Sequence, residues 1–255
     1  MLLAIDAGNT NTVFAVYAGA QLRGKWRMAT DERRTEDEYA VWLIELMRQQ
    51  NLDFKAIKGV ILSSVVPNTI FPLRLLGRRY FNLETLVIGD PAVKLGIEAK
   101  IDRPSEVGAD RLVNAVGAYD LHGGPLIIVD FGTATTFDVV DDKGDYQGGV
   151  IAPGINLSME ALHRAAAKLP KVSIENPGKV LGKSTVSAMK SGIFFGYMGL
   201  IEGIVSRLKA EYGKPMKTIA TGGLAALYSK HSSAIDHRDD NITMHGLRLI
   251  YERNQ

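Results

Sequence analysis

Leu126-Ile127-Ile128-Val129-Asp130-Phe131-Gly132-Thr133-Ala134-Thr135-Thr136 is an apolar run that breaks at a carboxylate, a glycine and a row of hydroxyls. Half a chain earlier the same design stands at Leu2-Leu3-Ala4-Ile5-Asp6-Ala7-Gly8-Asn9-Thr10-Asn11-Thr12. Each copy predicts a buried strand that ends in a tight turn. Successive backbone N–H groups in such a turn form a concave seat for an anion. At Gly8 no side chain blocks a phosphate, and Asn9, Thr10, Asn11 and Thr12 add neutral donors. Asp6 repels phosphate but suits Mg²⁺ or its waters, since hard cations prefer oxygen ligands. The second copy offers hydroxyl and backbone donors from Gly132 to Thr136 beside Asp130. One copy alone is better explained by an ordinary hairpin turn, since short glycine motifs are common. Two copies at matching positions predict a two-lobed, nucleotide-dependent phosphotransferase with its turns facing across a cleft.

Composition bounds the alternatives. A chain of 255 residues with this repeat divides naturally into two lobes, expected at 1–115 and 116–255. Hydrophobic residues make up 46% and charged residues 23%, the balance of a folded globular protein. The net charge of +2 comes without a basic block, which argues against nucleic acid as a partner. With no cysteine, disulfides, thiol nucleophiles and zinc–thiolate sites are excluded. The first apolar run lacks a basic leader and breaks at Asp6, unlike a signal peptide. The longest apolar stretch, 191–201, falls short of the roughly 20 residues that span a bilayer. No membrane contact and a cytoplasmic location are therefore expected.

Strands are expected at 2–6, 12–18 and 22–28, then a helix from Thr35 to about Gln50. Thr35-Glu36-Asp37-Glu38 is a capping-box pattern, and Tyr39, Leu43, Leu46 and Met47 form the helix's apolar face. A strand at 59–63, a helix at 68–80 and a strand at 83–88 follow. The second half repeats the order with strands at 126–130, 135–140 and 146–151. Asp141-Asp142-Lys143-Gly144 marks a hairpin turn. Helices at 112–121, 154–168, 184–212, 223–229 and 243–253 and a strand at 217–221 complete the reading.

Three further motifs carry chemistry. Gly108-Ala109-Asp110-Arg111 opens a helix, which places a carboxylate base beside a guanidinium able to grip an anionic substrate. Surface capping is its bland alternative. Thr221-Gly222-Gly223 lies between a strand and a helix, where bare backbone can lie against a nucleoside, although taken alone a helix-starting turn is the better explanation. Gly148-Gly149-Val150-Ile151-Ala152-Pro153-Gly154 is either a bulge and turn or a wall that lets a ligand approach. Gly192, Gly196, Gly199 and Gly203 make one small-residue stripe on a helix, flanked by Ile193, Phe194, Phe195 and Met198. Core packing explains such a stripe, and a dimer interface explains it more sharply. His122, His163, His231, His237 and His245 lack metal-ligand spacing and receive no catalytic role.

Taken together, these motifs resemble the type III pantothenate kinases across essentially the whole chain. The stretch Gly108–Arg111 followed by Asp130–Thr136 is the most family-specific part. The resemblance implies an α/β fold, a duplicated actin-like (ribonuclease H-like) two-lobed architecture of mixed five-stranded sheets flanked by helices. It implies ATP-dependent phosphorylation of pantothenate to 4′-phosphopantothenate, the first step of coenzyme A biosynthesis. Carried over by motif, Asp6, Ala7, Gly8, Asn9, Thr10, Asn11, Thr12 and Val13 would hold ATP, with Thr133, Gly222 and Gly223. Gly108, Ala109, Asp110 and Arg111 would contact pantothenate, with Asp110 as general base, and Thr185 matches a further substrate-contact position. Asp130 would hold a monovalent cation, K⁺ or NH₄⁺. Asp6 would act on Mg²⁺, directly or through water, and Mg-ATP would sit between the two Asp-x-Gly turns. The family implies a homodimer. Many members carry an aromatic residue nine positions before the general base, where this chain has Ile101.

Two rivals remain at this stage. A related kinase acting on a sugar or short acid would share the fold, and a substrate screen separates it. A nucleotide-binding regulator that kept the fold would bind ATP without turnover.

Overall fold

The computed structural model describes residues 1–166 and 168–255. In chain order the first elements are β1 (Leu2–Ala7), β2 (Asn11–Ala18), β3 (Gln21–Ala29), α1 (Glu36–Gln49), β4 (Gly59–Ser64), α2 (Pro67–Phe81), β5 (Thr85–Val87) and α3 (Ala109–His122). There follow β6 (Leu126–Phe131), β7 (Ala134–Val140), β8 (Tyr146–Pro153), α4 (Ile155–Ala165), α5 (Thr185–Tyr212), β9 (Lys217–Gly222), α6 (Ala225–Tyr228), β10 (His237–Arg238) and α7 (Ile242–Arg253). Within the expected helix at 154–168, residue 167 lies outside the described residues.

Two compact units form, Met1–Leu121 with Asn241–Gln255, and His122–Asp240. The expected division at 115/116 therefore differs in two ways: the chain passes over at 121/122, and α7 belongs with the first unit. The reason is packing. Met244, Leu247 and Ile250 of α7 join Leu2, Ala4 and Ile61 in one buried cluster.

In the first unit the sheet order is β3-β2-β1-β4-β5, with β1 antiparallel to β2 and parallel to β4. β1 and β4 are central, so both faces are covered and their sequences read as unbroken apolar runs. One face packs Leu3, Ile5 and Leu62 against Tyr39, Leu43 and Met47 of α1 and Leu73 and Leu76 of α2. The other packs against α3 and α7. Thr35 caps α1 through the expected reciprocal box with Glu38.

The second unit repeats the plan, with sheet order β10-β9-β6-β7-β8, β6 antiparallel to β7 and parallel to β9. Its core joins Ile127, Val129 and Phe137 to Met189, Phe194, Ile201 and Val205 of α5. At 28 residues, α5 is long and apolar enough, by length and composition, to cross a membrane. Its buried side chains are instead spent on the core of this unit.

Candidate functional site

The first Asp-x-Gly turn joins β1 to β2. Asp6 is the penultimate residue of the central strand, opposite Val13 on one side and Ser63 on the other. The Gly8 N–H donates to the Asn11 carbonyl at 3.0 Å, closing the turn. Thr30, just past β3, fastens it from outside: its hydroxyl donates to the Gly8 carbonyl at 2.7 Å, and its N–H donates to the Thr10 carbonyl at 3.0 Å. Asn9 and Thr10 are exposed at the tip, Asp6, Gly8, Asn11 and Val13 are half-buried, and Ala7 and Thr12 are buried. The Thr12 hydroxyl lies 2.9 Å from that of Thr30, so it secures the turn rather than facing solvent. Sequence reasoning missed Thr30. The signal was present in the hairpin arithmetic, since a residue just beyond β3 must return beside the β1–β2 turn.

Gly108 to Arg111 lie in the same unit. α3 begins at Ala109, which places Asp110 in its first turn, where an acidic side chain suits the helix dipole. The Asp110 carboxylate accepts the Arg111 N–H at 2.8 Å. A Cβ added at Gly108 would lie 2.6 Å from Asp110 Oδ1 and 3.6 Å from Val65 Cγ1. Val65 follows β4, and its N–H donates to the Ala7 carbonyl at 3.1 Å. One short chain of contacts thus runs from the first turn to the Gly108–Arg111 segment, at the carboxyl ends of β1 and β4. Open parallel sheets bind ligands at that edge.

In the second unit Asp130 pairs with Thr136 of β7 and Thr221 of β9. Gly132 N–H donates to the Ala134 carbonyl at 3.0 Å, closing a turn one residue tighter than its counterpart. Gly222 has φ +91°, and a Cβ there would meet Asp130 Oδ1 at 2.5 Å. The Gly223 N–H donates to the Phe131 carbonyl at 3.1 Å. The glycine pair therefore lies directly on the second turn. Gly154, capping α4, does the same from the other side, since a Cβ there would sit 2.0 Å from the Thr133 carbonyl. The Gly148–Gly154 stretch is thus strand β8 followed by this close approach. Its N-terminal helix end favours anions.

The three threonines of this turn divide their roles. Thr133 is exposed. Thr135 is buried, its hydroxyl without a hydrogen-bond partner. Thr136 donates its proton to Asp138 at 3.0 Å. The hydroxyls of this row therefore have different surroundings, because alternation along β7 sends neighbours to opposite faces.

Thr185 is exposed at the first residue of α5, after the Ser184 cap. Beside it a cleft of about 470 Å³ is lined by Lys179, Leu181, Gly182, Lys183 and Ser187, with Pro177 and Gly178. The glycine stripe on α5 faces outward: added Cβ atoms at Gly192, Gly196 and Gly199 would meet nothing within 4 Å. Ile193, Phe194 and Met198, expected to flank it, point into the core instead. Ile101 is half-buried, in the segment before Pro104. Among the described residues no group of three or more His, Asp or Glu is arranged to hold a metal ion. A cation at Asp130 would draw its other ligands from hydroxyl, backbone, water or phosphate oxygens.

The fold recurs in solved structures. A Baf family putative transcriptional activator from Campylobacter jejuni aligns over 99% of this chain and 98% of its own, with TM-score 0.60 at 18% identity. The ROK hexokinase of Thermus thermophilus covers 99% and 98% with TM-score 0.51 at 14% identity. These likenesses establish the actin-like duplicated fold alone. Sequence relatives are far nearer. Proteins named type III pantothenate kinase from Rhodospirillum rubrum and Caulobacter vibrioides are each 58% identical over 100% of this chain and 99% and 98% of theirs. The family model described as type III pantothenate kinase matches residues 2–207. That match takes in both Asp-x-Gly turns, Gly108–Arg111 and most of α5, and with it the chain belongs to the type III pantothenate kinases, a family of phosphotransferases.

Proposed function

We propose that this chain transfers the γ-phosphoryl group of Mg-ATP to the primary hydroxyl of pantothenate, giving 4′-phosphopantothenate and ADP at the start of coenzyme A synthesis. The observation that carries this reading is the placement of Asp110. Its carboxylate stands at the α3 N-terminus, against Gly108 and next to the β4 end, in the unit that holds the first Asp-x-Gly turn. A base there meets a hydroxyl presented at the edge where nucleotides bind.

Asp110 takes the hydroxyl proton as the alcohol oxygen attacks the γ-phosphorus in line, and the β–γ bridging oxygen leaves with ADP. Arg111 grips the pantothenate carboxylate, for which a guanidinium is well shaped. Gly108 and Ala109 bring bare backbone to the same substrate, and Thr185 is a further substrate-contact residue by motif. The first turn, Asp6 to Val13, and the second, with Thr133, Gly222 and Gly223, each grip part of the nucleotide. Asp6 would orient the Mg²⁺ carried with ATP, directly or through water, and that ion would supply charge neutralisation at the phosphate oxygens. Asp130 would hold K⁺ or NH₄⁺: it is the penultimate residue of its strand, among hydroxyl neighbours, and Gly222 leaves its carboxylate room. Phosphoryl transfer of this kind rests on positioning and charge stabilisation. The outward glycine stripe of α5 supports a homodimer, with helices meeting where no Cβ intervenes. The enzyme works in the cytoplasm on small molecules, without nucleic acid or membrane.

The test is a coupled ADP-release assay with purified protein, Mg-ATP and pantothenate, in K⁺ and then in Na⁺. Pantothenate-dependent turnover in K⁺ that falls in Na⁺ is expected. ATP binding without turnover would replace this reading with a regulatory one.

A further inference from the structure

Asp138 has no evident part in the scheme above, yet it is fully buried. It accepts two hydroxyl donors, Thr136 at 3.0 Å and Tyr146 at 2.9 Å. Burying a carboxylate is costly unless something compensates. The two hydroxyl donors are part of that compensation, and its position points to a further use. Residues 136 and 138 are two apart on β7 and share a face, away from the core that takes Phe137 and Val139. Thr136 is also directly opposite Asp130 in the β6–β7 register. Directly opposed residues have Cβ atoms about 4.5–5.5 Å apart, so a single ion can touch both side chains.

A threonine hydroxyl has one proton and two lone pairs, whereas an ionised carboxylate only accepts. Left to itself, Thr136 would donate to the neighbouring Asp130 and compete there with a cation. Asp138 takes that proton from the other side. The Thr136 oxygen is then turned lone pairs outward, as a cation ligand rather than a phosphate donor. The first turn lacks this arrangement: Asp6 faces Val13, and two residues on stands Ala15. The duplicated halves therefore differ where one is read as holding a monovalent cation.

We propose that Asp138 is a positioning residue that, by accepting the Thr136 proton, makes Thr136 a ligand of the monovalent cation at Asp130. The proposal rests on the reading of Asp130 given above. It is tested by calorimetry of Mg²⁺ with a non-hydrolysable ATP analogue, titrated with KCl against NaCl at constant ionic strength. In the wild-type protein K⁺ should tighten analogue binding. Asp138→Asn should raise the K⁺ concentration needed for half that effect by about 10–100-fold, the usual cost of losing a partner that orients a metal ligand. Thr136→Val should do the same, Thr136→Ser should restore the wild-type response, and Asp138→Asn with Thr136→Val should cost no more than Thr136→Val alone. A wild-type K⁺ response in Asp138→Asn overturns the proposal, as do additive losses in the double variant. A wild-type response in Thr136→Val overturns it even if Asp138→Asn does not fold. If the wild-type protein itself is indifferent to K⁺, the reading of Asp130 fails first.

Discussion

Gly222 lies against Asp130 so closely that a methyl group at 222 would sit 2.5 Å from the carboxylate Oδ1 and 2.7 Å from the Phe131 nitrogen. Gly222 also holds φ +91°, which side chains resist. Gly222→Ala should therefore strain β9 by about 1–3 kcal/mol and push Asp130 aside. Lower thermal stability together with a raised KM for ATP is the expected outcome. A variant with wild-type KM would show that Asp130 does not need this gap.

The carboxylate of Asp110 stands in the same relation to Gly108, where a Cβ would lie 2.6 Å from Oδ1. Asp110→Asn keeps the shape and removes the proposed base. Turnover should fall by at least about 100-fold while ATP affinity changes little. Near-normal kcat in this variant would take the proton-acceptor role away from Asp110.

On α5, a Cβ added at Gly196 or Gly199 would meet nothing within 4 Å among the described residues, so a side chain there starts out from an open surface. Gly196→Arg should leave the fold intact, even gaining about 0.5–1 kcal/mol of helix propensity. Sedimentation velocity should then give the mass of two chains for the wild-type protein, as the proposed homodimer requires, and of one chain for the variant. If the variant still sediments as a dimer, the interface lies elsewhere.

His122 provides a pH test. Burial holds its imidazole below the ordinary value, and His237, stacked at 5.6 Å, and Lys217 act the same way, while Asp239 opposes them. The folded chain thus binds this proton less readily than the unfolded one. The stability His122 contributes is whole above the unfolded value of about 6.5 and is lost as pH falls through it. The melting temperature should decline from pH 7 to 5, and His122→Gln should flatten that decline. An equally steep slope in the variant would assign it to other groups.

Local chemistry was legible in the chain itself. Apolar runs at 2–5 and 126–129 mark the two central strands because a strand covered on both faces has no polar positions to spare. Thr35 and Glu38 announce the start of α1 because a cap acts over only three residues. Gly108–Arg111 falls at the start of α3, about where its polar-to-apolar change points.

Contacts between distant residues depended on tertiary structure. Nothing local in 242–253 says that α7 packs beside β1 at the far end of the chain. β10 is only two residues long and exists as a strand through its pairing with β9. Thr30 on the first turn, Gly154 on Thr133 and Asp138 beneath Thr136 are set by strand register and close approach. The sequence by itself determined the repeated strand–turn units and the residue types at their tips, since periodicity and turn preference act within a few residues. Only the tertiary structure decided which hydroxyls face the site and which are spent on holding it, because a hydroxyl's role depends on the partner that takes its proton.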